Sequence, residues 1–260
     1  MKNLLFTVCG RAGSKGIKNK NIRNFCGYPL PYYSLAIIDL FMKKTGGYSF
    51  DVVVSTDSKE LIEIANKNPF IDTFCINRKK ELSGDLIPKI SVISNCMKIM
   101  SEQKNKKYDL VIDLDITSPL RTVEDLCNLI KVSFDTGADV VTSVTESRRN
   151  PYFNMVKKTE SGYKKVIDSN YTARQQAPEI FDMNASLYAY RPEYLLSGKG
   201  ILDGYCECIF MYDTGILDLD HERDFELMQV IAQHLFDTDN KYGEVRRFIE
   251  KRMRVVGNNI

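Results

Sequence analysis

Short apolar runs alternate with helix-like stretches along most of the chain. The runs DVVVS, LVIDL and DVVTSV are almost continuously apolar, as in parallel strands that helices cover on both faces. Strands are predicted at 3–9, 50–55, 70–76, 108–114, 138–144, 184–190 and 205–212, and helices at 33–42, 58–66, 88–100, 122–134 and 225–236. The alternation predicts an α/β fold with a doubly wound, mostly parallel sheet. Its ligands should bind at the carboxyl ends of the strands.

The segment 147–183 interrupts this alternation. It is polar, contains Pro151 and Pro178, and has two short strand candidates at 153–157 and 163–167. We interpret it as a hairpin that protrudes from a single domain covering residues 1–260.

Composition excludes several classes of protein. The 260 residues are 43% hydrophobic, enough for a large core, and the net charge of +2 gives no overall bias toward nucleic acid or membrane. No apolar run of about eighteen residues and no signal-peptide pattern is present, so a soluble, cytoplasmic protein is predicted. Seven scattered cysteines are expected to be buried thiols. Two histidines are too few for chemistry built on several.

A glycine-rich, basic loop follows the first strand, in the stretch FTVCGRAGSKGIKNKNIR from Phe6 to Arg23. Its glycines are Gly10, Gly13 and Gly16, and its cations are Arg11, Lys15, Lys18, Lys20 and Arg23. Glycines let the backbone approach an anion closely, and the cations neutralise charge, so the loop suits a polyphosphate. It matches neither the GxxxxGK[ST] nor the GxGxxG pattern. A solvated basic turn is the alternative reading of such a loop.

This loop closely resembles the ARGGSKGIKNKN opening of the acylneuraminate cytidylyltransferases, the CMP-sugar synthetases that activate nine-carbon acidic sugars. Four later stretches resemble elements of the same family: RKKELSGD at 78–85, TSPLR at 117–121, RQQAPEIFDMNASLYAY from Arg174, and ILDLDHERDFEL at 216–227. The resemblance therefore extends over most of the chain. It implies a Rossmann-like nucleotidyltransferase fold.

The resemblance also implies roles for individual residues. Those expected in catalysis are Arg11, Lys15 and Lys20. Those expected to bind the nucleotide are Arg11, Ala12, Gly13, Ser14, Lys15, Asn21, Arg78, Ser83, Asp85, Thr117 and Ser118. Those expected around the sugar are Asp115, Arg174, Gln175, Asn184 and Tyr188, and the expected Mg²⁺ ligands are Asp218 and Asp220. Since these two aspartates are two apart, an extended strand would present both carboxylates on one face.

Some positions depart from the family pattern or admit a simpler role. Asp115 replaces a common glutamine, and in related enzymes that activate the eight-carbon acid Kdo a carboxylate there is a metal ligand. The pair 185–186 is Ala-Ser where the family has Gly-Ala. Asp57 or Ser58, and Ser118 or Thr122, could simply cap helices. The general base stays open between a metal-bound water and an aspartate such as Asp115.

The resemblance implies transfer of CMP from CTP to the anomeric hydroxyl of a nonulosonic acid, a nine-carbon 2-keto acid sugar, with release of pyrophosphate. A homodimer is expected, in which 147–183 packs against the partner. Two alternatives remain open. One is another sugar nucleotidyltransferase, acting on Kdo or a sugar 1-phosphate, and the other is an inactive nucleotide-binding scaffold.

Overall fold

The computed structural model describes residues 1–13, 16–84, 86–214, 219 and 221–257. Its strands are β1 (Lys2–Cys9), β2 (Asn24–Phe25), β3 (Tyr28–Pro29), β4 (Tyr48–Thr56), β5 (Phe74–Asn77), β6 (Leu110–Leu114), β7 (Val140–Glu146), β8 (Val156–Thr159), β9 (Gly162–Lys165), β10 (Phe181–Tyr190) and β11 (Cys206–Phe210). Its α-helices are α1 (Leu30–Thr45), α2 (Lys59–Asn66), α3 (Lys89–Lys104), α4 (Val123–Thr136), α5 (Pro192–Leu195), α6 (Glu222–Thr238) and α7 (Asn240–Gly257).

Seven of these strands form one sheet in the order β11-β7-β10-β6-β1-β4-β5. The pairs β1–β4, β1–β6, β4–β5 and β7–β11 are parallel, whereas β10 runs antiparallel to both of its neighbours. The predicted mostly parallel sheet is therefore confirmed. The carboxyl ends of β1, β4 and β6 lie side by side at one edge.

Side chains of β1 alternate between two apolar cores. Leu4, Phe6 and Val8 belong to the core that α1, α4, α6 and α7 cover. Leu5 and Cys9 belong to the core on the other face, beneath α3 and α5. Complete burial of one such leucine or phenylalanine contributes about 1.5–3 kcal/mol to stability. Helices on both faces explain why the central strands are almost continuously apolar.

Two helix starts follow the predicted capping residues. The Oγ of Ser58 accepts a hydrogen bond from the backbone N–H of Leu61 at 3.2 Å, at the start of α2. At the start of α4, Thr122 and Asp125 form a reciprocal capping box, with bonds of 3.2 and 2.7 Å. Such caps satisfy backbone donors that the first helical turn leaves unpaired.

The predicted strand at 70–76 is wrong in its first half. The side chain of Asn68 accepts hydrogen bonds from the N–H groups of Phe70 and Ile71, both at 3.0 Å, and folds this segment into a turn. Phe70 is buried against Tyr32, with ring centroids 5.3 Å apart. The strand itself begins at Phe74. An asparagine that bonds its own backbone competes with extended structure.

Helix α7 was not predicted from the sequence. Asp239 has extended backbone angles that separate it from α6. Tyr242, Val245 and Ile249, at helical spacing, are buried in the core beside α1 and α6. The apolar stripe of α7 is narrow and is flanked by many charged residues, so the hydrophobic pattern of the sequence did not indicate a buried helix.

The segment 147–183 contains the predicted hairpin. Strands β8 and β9 pair antiparallel with each other in a separate two-stranded sheet. The chain then enters β10, whose register on β7 shifts between Met183 and Tyr188. Within this bulge Ala185 has a φ of 53°, in the left-handed region. That conformation favours glycine, the residue of the family pattern.

All seven cysteines lie within the described residues and are free thiols. The expectation that they are buried holds for Cys9 and Cys96, whereas Cys208 is exposed and the others are partly buried. Of the helices in the described ranges, none is both long and apolar enough to span a bilayer.

Candidate active site

Close packing fixes the start of the loop after β1. A Cβ atom on Gly10 would lie 2.7 Å from Cδ1 of Ile116 and 2.8 Å from Cδ2 of Leu61, so a larger side chain would displace buried neighbours. Gly13 has a φ of 71°, which residues with a side chain rarely adopt. Gly10 is therefore required by close packing and Gly13 by its backbone conformation, in agreement with the glycine-rich loop predicted from the sequence.

Two backbone amides of this loop point toward β4. The N–H of Gly10 donates to the carbonyl of Ser55 at 3.1 Å. The N–H of Ala12 donates to the carboxylate of Asp57 at 2.6 Å. Asp57 therefore holds the loop, while Ser58 caps α2. This contact fixes where the loop leaves the sheet.

A cavity of about 270 Å³ opens beside the loop, at the carboxyl ends of the strands. Six of the predicted site residues lie in its wall: Arg11, Lys20, Asn21, Arg78, Asp115 and Thr117. They come from three motifs that are far apart in the sequence. The structure thus brings together much of the predicted nucleotide site, with cations on several sides.

Hydrogen bonds to the backbone hold two of these side chains in place. Nδ2 of Asn21 donates to the carbonyl of Arg11 at 3.0 Å. Nη2 of Arg78 donates to the carbonyl of Ser55 at 2.6 Å, and its Nε donates to the Ser55 hydroxyl at 3.3 Å. Arg78 thereby links the loop after β5 to β4.

Lys89, the first residue of α3, forms ion pairs with two carboxylates at the end of β6. Its Nζ lies 2.7 Å from Oδ2 of Asp113 and 2.6 Å from Oδ2 of Asp115. Asp113 is fully buried, and its other oxygen accepts a 2.6 Å hydrogen bond from the hydroxyl of Thr7. Oδ1 of Asp115 accepts from both the N–H and the hydroxyl of Thr117, each at 2.8 Å.

This environment keeps Asp115 ionised. Burial alone would raise the pKa of its carboxyl, but the charge of Lys89 and the hydrogen bonds from Lys89 and Thr117 lower the pKa to about 2. The two carboxylates in turn hold the pKa of Lys89 well above its usual value, despite the opposing effect of burial. So acidic a carboxyl is a weak proton acceptor near neutral pH, which argues against Asp115 as the general base.

Arg121 anchors the loop from Asp115 to Leu120. The residue is 1% exposed, and its guanidinium donates to the carbonyls of Asp115 and Ser118. Burial lowers the pKa of Arg121 to about 10. Arg121 is therefore bound to the backbone of the loop and fixes Thr117 at the cavity wall.

Lys20 connects the basic loop to the segment before α6. Its Nζ donates to the carbonyl of Leu219 at 2.7 Å, and Leu219 is fully buried. The neighbours of Leu219 in the chain are Asp218 and Asp220. Within the part of the chain that the structure describes, no three histidine, cysteine or acidic side chains cluster as a metal site would.

Five predicted site residues lie outside the described residues: Ser14, Lys15, Asp85, Asp218 and Asp220. Their roles stay predictions. Ser83 and Ser118 are adjacent in sequence to residues that line the cavity, but they are not in its wall themselves. The hydroxyl of Ser83 donates to the carbonyl of Lys79 at 3.1 Å.

The residues expected around the sugar fall into two groups. Arg174 and Gln175 line a second cavity of about 340 Å³ beside the hairpin segment. Nη2 of Arg174 donates to the carbonyl of Ser147 at 2.9 Å. The structure thus separates these two residues from the cavity at the basic loop.

Asn184 and Tyr188 lie in β10 and are both buried. Oδ1 of Asn184 accepts from the hydroxyl of Ser143 at 2.5 Å, which stabilises the bulge. Tyr188 lies opposite Asp113 in the register of the sheet, and burial raises the pKa of its hydroxyl to about 12. Tyr188 therefore lies beside Asp113 in the sheet and not in the cavity wall.

Sequence reasoning missed Lys89 and Asp113. Asp113 interrupts the apolar run LVIDL, and a carboxylate inside a buried strand requires a cation or hydrogen-bond donors. The aspartate in this run therefore indicated a buried ion pair or hydrogen-bonded carboxylate. Lys89 carried no comparable signal, because its proximity to Asp113 and Asp115 depends on how α3 packs on the sheet.

A mostly parallel sheet with a basic, glycine-rich loop and a cation-lined cavity at its strand ends defines a nucleotide-binding α/β protein. The family model described as cytidylyltransferase matches residues 6–234. The chain therefore belongs to the cytidylyltransferase family, and the predicted nucleotidyltransferase class is confirmed. Helix α7 lies beyond the matched residues.

Among the relatives, the post-translational flagellin modification protein B of Campylobacter coli is 31% identical over 233 residues, which cover 90% of this chain and 96% of that protein. The CMP-N,N'-diacetyllegionaminic acid synthase of Campylobacter jejuni is 30% identical and covers 89% of this chain and 95% of the relative. The structure of CMP:2-keto-3-deoxy-manno-octonic acid synthetase complexed with CTP superposes with a TM-score of 0.59 at 14% identity, over 90% of this chain and 100% of that chain. The structural likeness confirms the fold.

Proposed function

We propose that the chain couples CTP to a nonulosonic acid, giving a CMP-sugar and pyrophosphate. The observation that carries this proposal is the cavity at the strand ends, where Arg11, Lys20, Asn21 and Arg78 converge. The acceptor class is taken from the relative named as a CMP-N,N'-diacetyllegionaminic acid synthase, which this chain covers almost completely.

In the proposed reaction the 2-hydroxyl of the sugar attacks the α-phosphorus of CTP in line. An oxygen–phosphorus bond forms as the hydroxyl loses its proton to water, the bond to the bridging oxygen of the β-phosphate breaks, and pyrophosphate leaves. Arg11 and Lys15 neutralise charge on the triphosphate, and Asn21 and Thr117 position the nucleotide. Catalysis is then mainly positioning and charge neutralisation.

Mg²⁺ is proposed as the cofactor, held by Asp218 and Asp220. Paired carboxylates are the ligands this hard cation prefers, and when bound it neutralises phosphate charge. The contact between Lys20 and Leu219 supports the assignment, because it brings the residue between these aspartates to the basic loop. Lys20 thus lies in the cavity wall and also contacts the segment that contains the proposed ligands.

A homodimer is proposed, built on the apolar surface beside the hairpin segment 147–183. The rings of Phe181 and Phe210 lie 5.0 Å apart, and both side chains are exposed. β11 is the last strand of the sheet on this side. Contiguous exposed aromatic side chains at a sheet edge are typical of an interaction surface.

The acceptor substrate distinguishes the proposed activity from that of a sugar-1-phosphate nucleotidyltransferase. A CMP-nonulosonic acid synthetase uses a phosphate-free keto acid sugar, whereas a sugar-1-phosphate nucleotidyltransferase requires a phosphate acceptor. Pyrophosphate release should therefore be measured with CTP and each acceptor in turn. Release with sugar 1-phosphates alone would contradict the proposal.

A further inference from the structure

The ammonium of Lys89 occupies the point at which two carboxylates converge. The inner oxygens of Asp113 and Asp115 lie 2.7 and 2.6 Å from its Nζ. One ammonium thus faces two carboxyl groups. The Lys89 side chain is 30% exposed and lies in the wall of the cavity. The cavity therefore adjoins this point.

The outer oxygens of both carboxylates are already fixed. Oδ1 of Asp113 accepts from Thr7, and Oδ1 of Asp115 accepts twice from Thr117. These bonds orient both inner oxygens toward the same position. In sites for hard divalent cations, carboxylate ligands are likewise oriented by hydrogen bonds to the oxygens that do not face the metal. The two carboxylates here have the same arrangement.

We propose that Lys89 is a built-in cation that excludes a divalent metal ion from Asp113 and Asp115. The distances from Nζ to oxygen, 2.6 and 2.7 Å, exceed the Mg²⁺–oxygen distance of about 2.0–2.1 Å and lie at or just above the upper end of the Ca²⁺ range, about 2.6 Å. The point therefore has room for a divalent ion once the ammonium is removed.

The inference deepens the proposed function and rests on it for its consequence in catalysis. With Lys89 in place, metal binding is confined to the triphosphate and the predicted ligands Asp218 and Asp220. Asp115 is then free of metal coordination. Lys89 also screens the incoming triphosphate from two carboxylates.

The test uses Mn²⁺ as the probe and the full chain without nucleotide or sugar. Lys89→Met removes the charge and keeps the side-chain length. This variant should bind one more equivalent of Mn²⁺ than the wild type, counted by the loss of the free-ion electron paramagnetic resonance signal. Mn²⁺ should also raise its melting temperature more than that of the wild type, because a ligand stabilises the state that binds it.

Matched variants distinguish Mn²⁺ bound at Asp113 and Asp115 from Mn²⁺ bound at the predicted ligands Asp218 and Asp220. Lys89→Arg keeps a cation and should gain no Mn²⁺. Adding Asp115→Asn to Lys89→Met should abolish the gained equivalent and the additional rise in melting temperature.

A second measurement decides the question even if Lys89→Met fails to fold. In the wild-type background, Asp115→Asn should leave the amount of bound Mn²⁺ unchanged, because Lys89 already excludes the ion from that carboxylate. A fall in bound Mn²⁺ on this change would overturn the inference, as would a folded Lys89→Met that gains none. Neither measurement uses turnover, so a failure of the proposed function would be seen separately, as absent CTP-dependent activity.

Discussion

Lys20 and Leu219 are joined by a 2.7 Å hydrogen bond from the lysine Nζ to the leucine carbonyl, although 199 positions separate them in the sequence. The bond connects the basic loop after β1 to the segment that precedes α6. A second link runs beside it, since Arg23 forms an ion pair with Glu222. Arg23 also stacks on the ring of Phe225, 4.1 Å from its centroid. The loop and the segment with the predicted metal ligands are therefore positioned together.

Lys20→Ala should lower kcat by about 10²- to 10³-fold at saturating CTP, because it removes a cation from a partly buried site and releases the Leu219 carbonyl. Arg11→Ala should lower kcat to a similar degree. Lys18→Ala, which removes another cation of the same loop, is the matched control. Melting curves of all three variants show whether the fold persists. Wild-type turnover in both Lys20→Ala and Arg11→Ala would remove the loop from the mechanism.

Asp218→Asn and Asp220→Asn should each raise the Mg²⁺ concentration needed for half-maximal activity and lower the rate. The double variant should behave much like either single one, since both aspartates act through one ion. The competing role, in which they only support the start of α6, predicts a lowered melting temperature instead. An unchanged Mg²⁺ titration curve with a lower melting temperature would reject the metal assignment.

The stability of the protein should depend on pH through Asp115. Its pKa is lowered to about 2 in the folded state, so its contribution is complete above the unfolded value of about 4. The contribution is lost as the pH falls from about 4 through about 2, and amounts to about 2.6 kcal/mol. Denaturant melts of the wild type and Asp115→Asn over this range should converge at the acid end. Parallel curves for the two proteins would show that Asp115 is not held at a low pKa.

Phe210→Lys should convert the proposed dimer to a monomer. This side chain is 60% exposed on β11, and a charge there would have to be desolvated in the interface. Val230→Lys is the matched control, because Val230 is 69% exposed on α6, outside both β11 and the segment 147–183. Sedimentation at micromolar concentration is the measurement. A wild type that sediments as a monomer with full activity would contradict the dimer.

Hydrophobic patterning was sufficient to predict the sheet, because strands buried on both faces leave long apolar runs. It failed where a side chain redirected the backbone, as Asn68 does before β5. It also failed at α7, where the buried residues Tyr242, Val245 and Ile249 are separated by charges. Those features depend on local hydrogen bonds and on packing partners that are distant in the sequence.

The site was predictable where a motif combined several residues on one loop. Arg11, Asn21 and Thr117 do lie around one cavity. The position of Lys89 was not predictable, since it depends on how α3 packs over β6. The same holds for Arg174, which lies at the second cavity. Its distance from the first cavity depends on the path of the hairpin segment.

The most direct test of the account is the fate of a label placed on the α-phosphate of CTP. The protein should be incubated with Mg²⁺, labelled CTP and a panel of nonulosonic acids: neuraminate, legionaminate and pseudaminate types. At least one acceptor should yield a labelled CMP-sugar together with an equal amount of unlabelled pyrophosphate. No labelled CMP-sugar with any of these acceptors, while a sugar 1-phosphate gives a labelled nucleotide sugar, would contradict the account.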